Sequence, residues 1–150
     1  MKTNKAVQEK KPQENTEGFE KRIQEAVREI EGKFGIHFPE AENGKACGEL
    51  ILQPQHRNLY GIPYGGVMFN LADNTAGMAF LSAGGNGITV SGNVNYLRGA
   101  SPEADRLICR SSVKKAGRRL FFLSAEVSDN FGTLLSEYSF VFTNLSMEEK

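Results

Sequence analysis

Hydrophobic and polar positions change rhythm along this chain, and each rhythm predicts an element. Over residues 18–34, Phe19, Ile23, Ala26, Val27, Ile30 and Phe34 recur at three- and four-residue steps, with Glu, Lys and Arg between them. That spacing predicts an amphipathic helix. Gly32 and Gly35 help close it. Residues 36–42 and 45–52 flank Asn43-Gly44, a pair suited to a two-residue hairpin turn. Residues 54–64 are punctuated by Gly and Pro and read as a loop. From Gly65 to about Ala83 the chain is apolar in nearly every direction of a helical wheel. A helix of that kind is a buried one. Gly84-Gly85-Asn86-Gly87 ends it with residues that tolerate positive φ.

The remainder alternates like strand. In 88–98, Ile88, Val90, Val94 and Tyr96 fall on one face and Thr89, Ser91, Asn93 and Asn95 on the other. Residues 105–115 and 119–129 predict two more strands around Ala116-Gly117-Arg118. Asp129-Asn130-Phe131-Gly132 turns into a last strand over 133–144. The order is helix, two strands, buried helix, four strands. It predicts an α+β fold in which a curved antiparallel sheet wraps around the central helix and covers most of its sides.

One residue breaks the apolar helix. Asp73 is a carboxylate in its middle, and a buried carboxylate is costly unless it is paired or used. The helix opens on Gly65-Gly66. Its first backbone N–H groups have no intrahelical acceptor and sit at the positive end of the helix dipole. Such an end suits a developing oxyanion. An acid and an anion-stabilising helix start on one segment point to acyl chemistry.

The chain has 150 residues, enough for a single domain with a sizeable core. Residues 1–17 are rich in Lys, Gln, Glu and Asn and read as a weakly ordered tail, with no apolar core of a signal peptide. The domain proper is expected over 18–144, with a short tail over 145–150. Eighteen basic residues balance eighteen acidic ones, so no overall field favours nucleic acid or an anionic membrane. No apolar run approaches bilayer length. Cys47 and Cys109 lack CxxC spacing and read as free thiols of a cytoplasmic protein. Two His and two Cys scattered along the chain predict no metal site. A P-loop, a dinucleotide fingerprint and a serine nucleophile elbow are all missing.

Four segments in order resemble one family. His56-Arg57-Asn58 leads through Gly61 to Tyr64-Gly65-Gly66, and Leu71-Ala72-Asp73 with Gly77 follows. Asn93-Val94-Asn95-Tyr96-Leu97-Arg98-Gly99-Ala100 comes next, then Lys115-Ala116-Gly117-Arg118-Arg119, then Asp129-Asn130-Phe131-Gly132-Thr133-Leu134-Leu135. Over roughly residues 45–144 this resembles the hotdog-fold acyl-CoA thioesterases of the phenylacetyl-CoA thioesterase (PaaI-like) type. One position departs from that pattern. Where the family usually carries His before the two glycines, this chain has Tyr64, a longer phenol that does not titrate near neutral pH.

The resemblance implies thioester hydrolysis to a carboxylic acid and free coenzyme A, with no cofactor beyond the coenzyme A of the substrate. It implies Asp73 as general base or nucleophile. The N–H of Gly65, with that of Gly66, would be the oxyanion hole, and Asn58 would hold water or the carbonyl. Tyr64 would substitute as a positioning group, and Thr89 would lie near the attacking water. Lys115, Arg118 and Arg119, with Lys114 beside them and Arg98 joining, would clamp the coenzyme A phosphates. Related proteins often pair their dimers into tetramers. The alternative is a hotdog protein that binds acyl-CoA or another ligand without turning it over, since Tyr64 replaces the motif His. A dehydratase would need a catalytic His that Tyr64 displaces.

Structural readings stand beside each of these. A neighbouring Asn or Thr can satisfy Asp73, and Gly65-Gly66 can serve helix geometry alone. His56 reads as an anchor for its loop, His37 as an edge-strand residue, and the basic cluster as a solvated hairpin tip. Phe69, Met78, Phe80, Tyr96, Phe121 and Phe122 are candidates for an acyl pocket or for plain core.

Spacing alone adds one constraint. Gly65 and Asp73 are eight residues apart, which is roughly 12 Å along a helix. Groups acting on one carbonyl must each lie about 3 Å from it. One chain therefore does not supply both groups to one site. Two antiparallel copies of the helix across a two-fold axis would, which predicts an obligate homodimer with two shared sites.

Overall fold

A computed structural model describes residues 16–145. The expected tails, 1–17 and 145–150, fall almost wholly outside the described residues. The elements are α1 (Thr16–Phe34), β1 (Ile36–Glu42), β2 (Lys45–Ile51), α2 (Gly65–Ser82), β3 (Gly87–Tyr96), β4 (Arg106–Ala116), β5 (Leu120–Asp129) and β6 (Leu134–Asn144). The first helix starts at Thr16 rather than at Gly18, so two residues assigned to the tail belong to it. All six strands form one antiparallel sheet in the order β1-β2-β4-β5-β6-β3. The expected α+β order holds throughout.

Local chemistry explains the joints. Asn43 and Gly44 both take positive φ, 50° and 76°, the conformation that closes a two-residue hairpin between right-twisted strands. α2 lies in the hollow of the sheet and packs against every strand. Leu71, Ala72, Thr75, Ala76, Met78, Ala79 and Phe80 are its buried residues, with Met68 at its start. Phe80 meets Phe121 and Phe142 at ring-centroid distances of 4.9 and 5.0 Å. Burying each large side chain of this kind contributes about 1.5–3 kcal/mol. At Gly48 the sheet comes so close to α2 that a Cβ would lie 2.2 Å from Thr75 Oγ1. Thr75 itself donates to the Leu71 carbonyl at 2.7 Å, so its buried hydroxyl is satisfied.

Helix α1 packs against α2 and β1. It packs Ile23, Ala26, Val27 and Ile30 against the core and keeps its charged side outward. The sheet does not cover α2 as fully as its composition suggests. Asn70, Asp73, Asn74, Gly77 and Leu81 are only half-buried and Gly66 is exposed. These residues recur at three- and four-residue steps and form a stripe left open by this chain's own strands.

Candidate active site

The start of α2 is fixed by the loop before it. His56 Nδ1 accepts from the Gln53 N–H at 2.9 Å. The Arg57 guanidinium donates to the carbonyls of Gly61 at 2.9 Å and Ala104 at 2.6 Å. Asn58 Oδ1 accepts from the N–H groups of Tyr60 at 2.9 Å and Ile62 at 3.3 Å. Tyr64 then enters the helix at φ −61° and ψ 146°. Its carbonyl accepts from Val67 at 3.1 Å and Met68 at 3.3 Å, which leaves the Gly65 and Gly66 N–H groups as the free first donors of the helix.

His56 is thus the loop anchor. Burial, and then the neighbouring Arg57 charge, lower its pKa. An Nδ1 that accepts a hydrogen bond must be unprotonated. The fold favours neutral His56, so its contribution is fully present above the unfolded value of about 6.5 and is lost as pH falls below it. The expected result is that His56→Ala lowers Tm more at about pH 8 than at about pH 5. Thermal melts of both proteins across that range check it.

Asp73 stands on the half-open stripe of α2. Thr89 Oγ1 donates to its Oδ1 at 2.8 Å. The pair lines a cleft of about 410 Å³ with Asn74, Gly77, Ile30 and Phe142. Thr89 reaches Asp73 because β3 carries an extra residue. Thr89 pairs with Phe142 and Ser91 with Val141, so Val90 is unpaired. The bulge shifts the alternation by one. Beyond it Gly92, Val94 and Tyr96 pair with Phe140, Tyr138 and Ser136, all of which are buried. Thr89 therefore shares a face with Val94 and Tyr96, opposite to the unbroken alternation expected from sequence.

Gly66 at the start of α2 lies elsewhere. Gly66, with Val67, Asn70, His56, Phe34 and Ile51, lines a separate cleft of about 830 Å³. Within one chain Asp73 and Gly66 line different clefts.

The basic residues also separate. Lys115, Arg118 and Arg119 are exposed around the β4–β5 turn. Asn144 holds that turn, its N–H donating to the Arg119 carbonyl at 2.8 Å and its side chain to the Arg118 carbonyl at 3.0 Å. Asn144 pairs with Gly87, two residues before Thr89, so the turn flanks the acid cleft. Arg98 is not part of this cluster. Its N–H donates to the Leu135 carbonyl at the opposite end of β6, about 30 Å away at strand rise.

A thioesterase superfamily model matches residues 60–136, just over half of the chain. The chain belongs to that superfamily. A relative from Archaeoglobus fulgidus that bears an esterase name is 24% identical over 97 residues, 65% of this chain and 62% of that protein. The PaaI protein of the Escherichia coli phenylacetic acid degradation operon is 18% identical with a TM-score of 0.75, covering 85% of this chain and 99% of its own. A hypothetical thioesterase from Streptococcus pneumoniae TIGR4, crystallised with coenzyme A, is 18% identical with a TM-score of 0.72, covering 86% and 98%. These likenesses give the hotdog fold. The pneumococcal protein has also been solved with alanine for an aspartate and with alanine for a threonine sixteen residues further on.

Against the superfamily fold, several expected residues stand differently. Tyr64 is 48% exposed and caps α2 through its backbone, with no capping bond from its side chain. Asn58 spends its carboxamide oxygen on the loop, which leaves its NH2 group as the part able to donate to a carbonyl or a water. Met78, Phe80 and Phe121 are core, and Phe122 is partly exposed. His37, exposed on edge strand β1, contacts Glu31 Oε1 at 2.8 Å. Cys47 and Cys109 are free and buried. Burial raises both thiol pKa values, that of Cys109 to about 12, which removes them as nucleophiles near neutrality. A contact that sequence reasoning did not anticipate is Tyr96, whose hydroxyl donates to the Gly65 carbonyl at 2.9 Å. No helix among the described residues is long and apolar enough to cross a membrane.

Proposed function

We infer that the protein hydrolyses acyl-CoA thioesters to a carboxylic acid and free coenzyme A. The observation that carries this is a half-buried carboxylate held by Thr89 on the same helix whose first glycine amides are free. Asp73 takes a proton from water as the oxygen attacks the thioester carbon, or attacks that carbon itself. The carbonyl oxygen becomes an oxyanion held by the N–H groups of Gly65 and Gly66. The C–S bond then breaks, and the thiolate of coenzyme A leaves and takes up a proton; where Asp73 itself attacked, water then hydrolyses the acyl–Asp73 anhydride, which releases the acid and restores the carboxylate. Water and thioester are the only reactants, so the route calls for no cofactor.

The working unit in this reading is a homodimer, with Asp73 from one protomer facing Gly65 of its twin. Two features support it. The stripe of α2 that bears Asp73 is open, and β3 ends the sheet with Ile88 and Val90 54% and 53% exposed. Pairing of dimers into tetramers and a place in the cytoplasm belong to the same reading. The free, reduced cysteines fit the latter.

Lys115, Arg118 and Arg119 would hold the coenzyme A phosphates beside the acid cleft. The double variant Arg118→Ala/Arg119→Ala is expected to raise KM for acyl-CoA at least about tenfold with kcat nearly unchanged. Steady-state kinetics check this, and an unchanged KM removes the assignment. The function itself is tested by thiol release from a panel of aromatic, short-chain and medium-chain acyl-CoAs. Saturable release supports hydrolysis. Calorimetric binding without release would support the second reading, a ligand-binding hotdog protein, which the unengaged Tyr64 favours.

A further inference from the structure

Strand β3 supports α2 at two points. Thr89 holds the acid, and Tyr96, at the far end of the same inward face, holds the helix start. The Tyr96 ring comes so close to Gly65 that a Cβ there would sit 3.0 Å from its Cζ and 3.1 Å from its hydroxyl oxygen. The hydroxyl donates to the Gly65 carbonyl at 2.9 Å. That carbonyl belongs to the peptide whose other end is the Gly66 N–H. Hydrogen bonds in series polarise one another, so a donor on this carbonyl strengthens the amide as a donor. On the other side, the Tyr64 carbonyl is already held by Val67 and Met68. The two peptides that present the free amides are therefore both fixed, one by the helix and the other by the helix together with Tyr96.

We propose that Tyr96 is a positioning residue for the oxyanion-binding end of α2, its hydroxyl and ring fixing and polarising the Gly65–Gly66 peptide. This rests on the thioesterase reading for its catalytic consequence, though not for the contact itself. It also accounts for glycine at position 65, where the ring leaves little room for a side chain. Burial raises the phenol pKa, which keeps the hydroxyl a donor over the working range.

Tyr96→Phe keeps the ring and removes the donor. The expected result is a fall in kcat of about fivefold, the effect of one hydrogen bond, with KM, Tm and oligomeric state unchanged. In 15N-correlated NMR spectra the Gly66 amide resonance should move upfield, with that of Thr89 unmoved. Tyr96→Ala, which also removes the ring, should shift both glycine amides further and lower kcat more. An unmoved Gly66 resonance in Tyr96→Phe overturns the proposal whatever happens to kcat. So does an unchanged kcat in an active wild type, or a rise in KM alone, which would make Tyr96 a binding residue. If the wild type releases no thiol from any acyl-CoA, the functional reading falls and the amide resonances alone decide the contact.

Discussion

Asp73→Asn is expected to leave the protein folded and to lower kcat for thiol release by at least about a hundredfold, the scale of lost acid–base help. Asparagine has nearly the same shape as aspartate. Its carboxamide oxygen can still accept from Thr89 Oγ1, the 2.8 Å contact that orients the side chain. What it lacks is a proton acceptor of sufficient basicity and a nucleophilic charge. Structural explanations of Asp73 make the opposite forecast. A carboxylate kept only for the Thr89 contact would be replaced by Asn with little change in turnover. Kinetics and thermal melts on the same preparation separate the two, and near-wild-type turnover removes Asp73 from the chemistry.

Gly65→Pro is expected to be as damaging, for a different reason. Proline has no N–H, so the substitution deletes the donor itself. Position 65 is the first residue of α2, where proline is tolerated best. Tyr64 already has ψ 146°, the extended conformation that a residue before proline prefers. The one steric conflict is with the Tyr96 ring, and Gly65→Ala carries the same Cβ while keeping the amide. Relative to Gly65→Ala, kcat of Gly65→Pro should fall by about 10²–10³, the effect of removing one oxyanion donor. Equal rates for the two variants would show that this amide does not meet the oxyanion.

The two variants together test the shared site. A heterodimer of Asp73→Asn and Gly65→Pro chains has one site with both lesions and one with neither. Purified through two different tags, it should regain about half of wild-type activity, although each parent homodimer is nearly inert. A heterodimer as inactive as its parents would place acid and amide on the same chain, against the 12 Å of helix between them.

Much of this fold was legible because its signals are local. Asn43-Gly44 specified a hairpin that formed with both residues at positive φ. The apolar run from 65 specified a central helix, and its glycine end held to within a residue. Strands β4 to β6 began and ended within a residue of their alternation. Family motifs pointed to Asp73 and the Gly65–Gly66 amides as candidates, since those motifs are contiguous. The misplacements are all non-local. Nothing around Val90 announces an unpaired residue, so Thr89 was assigned to the wrong face. Gly92 was the one available hint, because a glycine inside a strand often marks a bulge or a close approach. Here a Cβ at Gly92 would meet the rings of Phe140 and Phe69 at about 3 Å. Arg98 was grouped with Arg118 and Arg119 because all three are basic residues near strand ends. Which ends meet depends on strand order, and β3 lies next to β6 rather than next to β4. Tyr96 looked like pocket lining, because a bond from its hydroxyl to a carbonyl thirty-one residues earlier leaves no local pattern.

In the proposed mechanism both reacting functions sit on α2, so their separation is a matter of helical phase as well as length. One residue inserted between Gly65 and Asp73 would rotate everything beyond it by about 100° and advance it by about 1.5 Å. The carboxylate would then point away from Thr89. Point changes along this rod can be absorbed by repacking, but insertions and deletions cannot, whereas the loop before it has ends free to take up extra length. Natural variation in chain length among working relatives should therefore collect before Gly65 and spare the eight-residue interval.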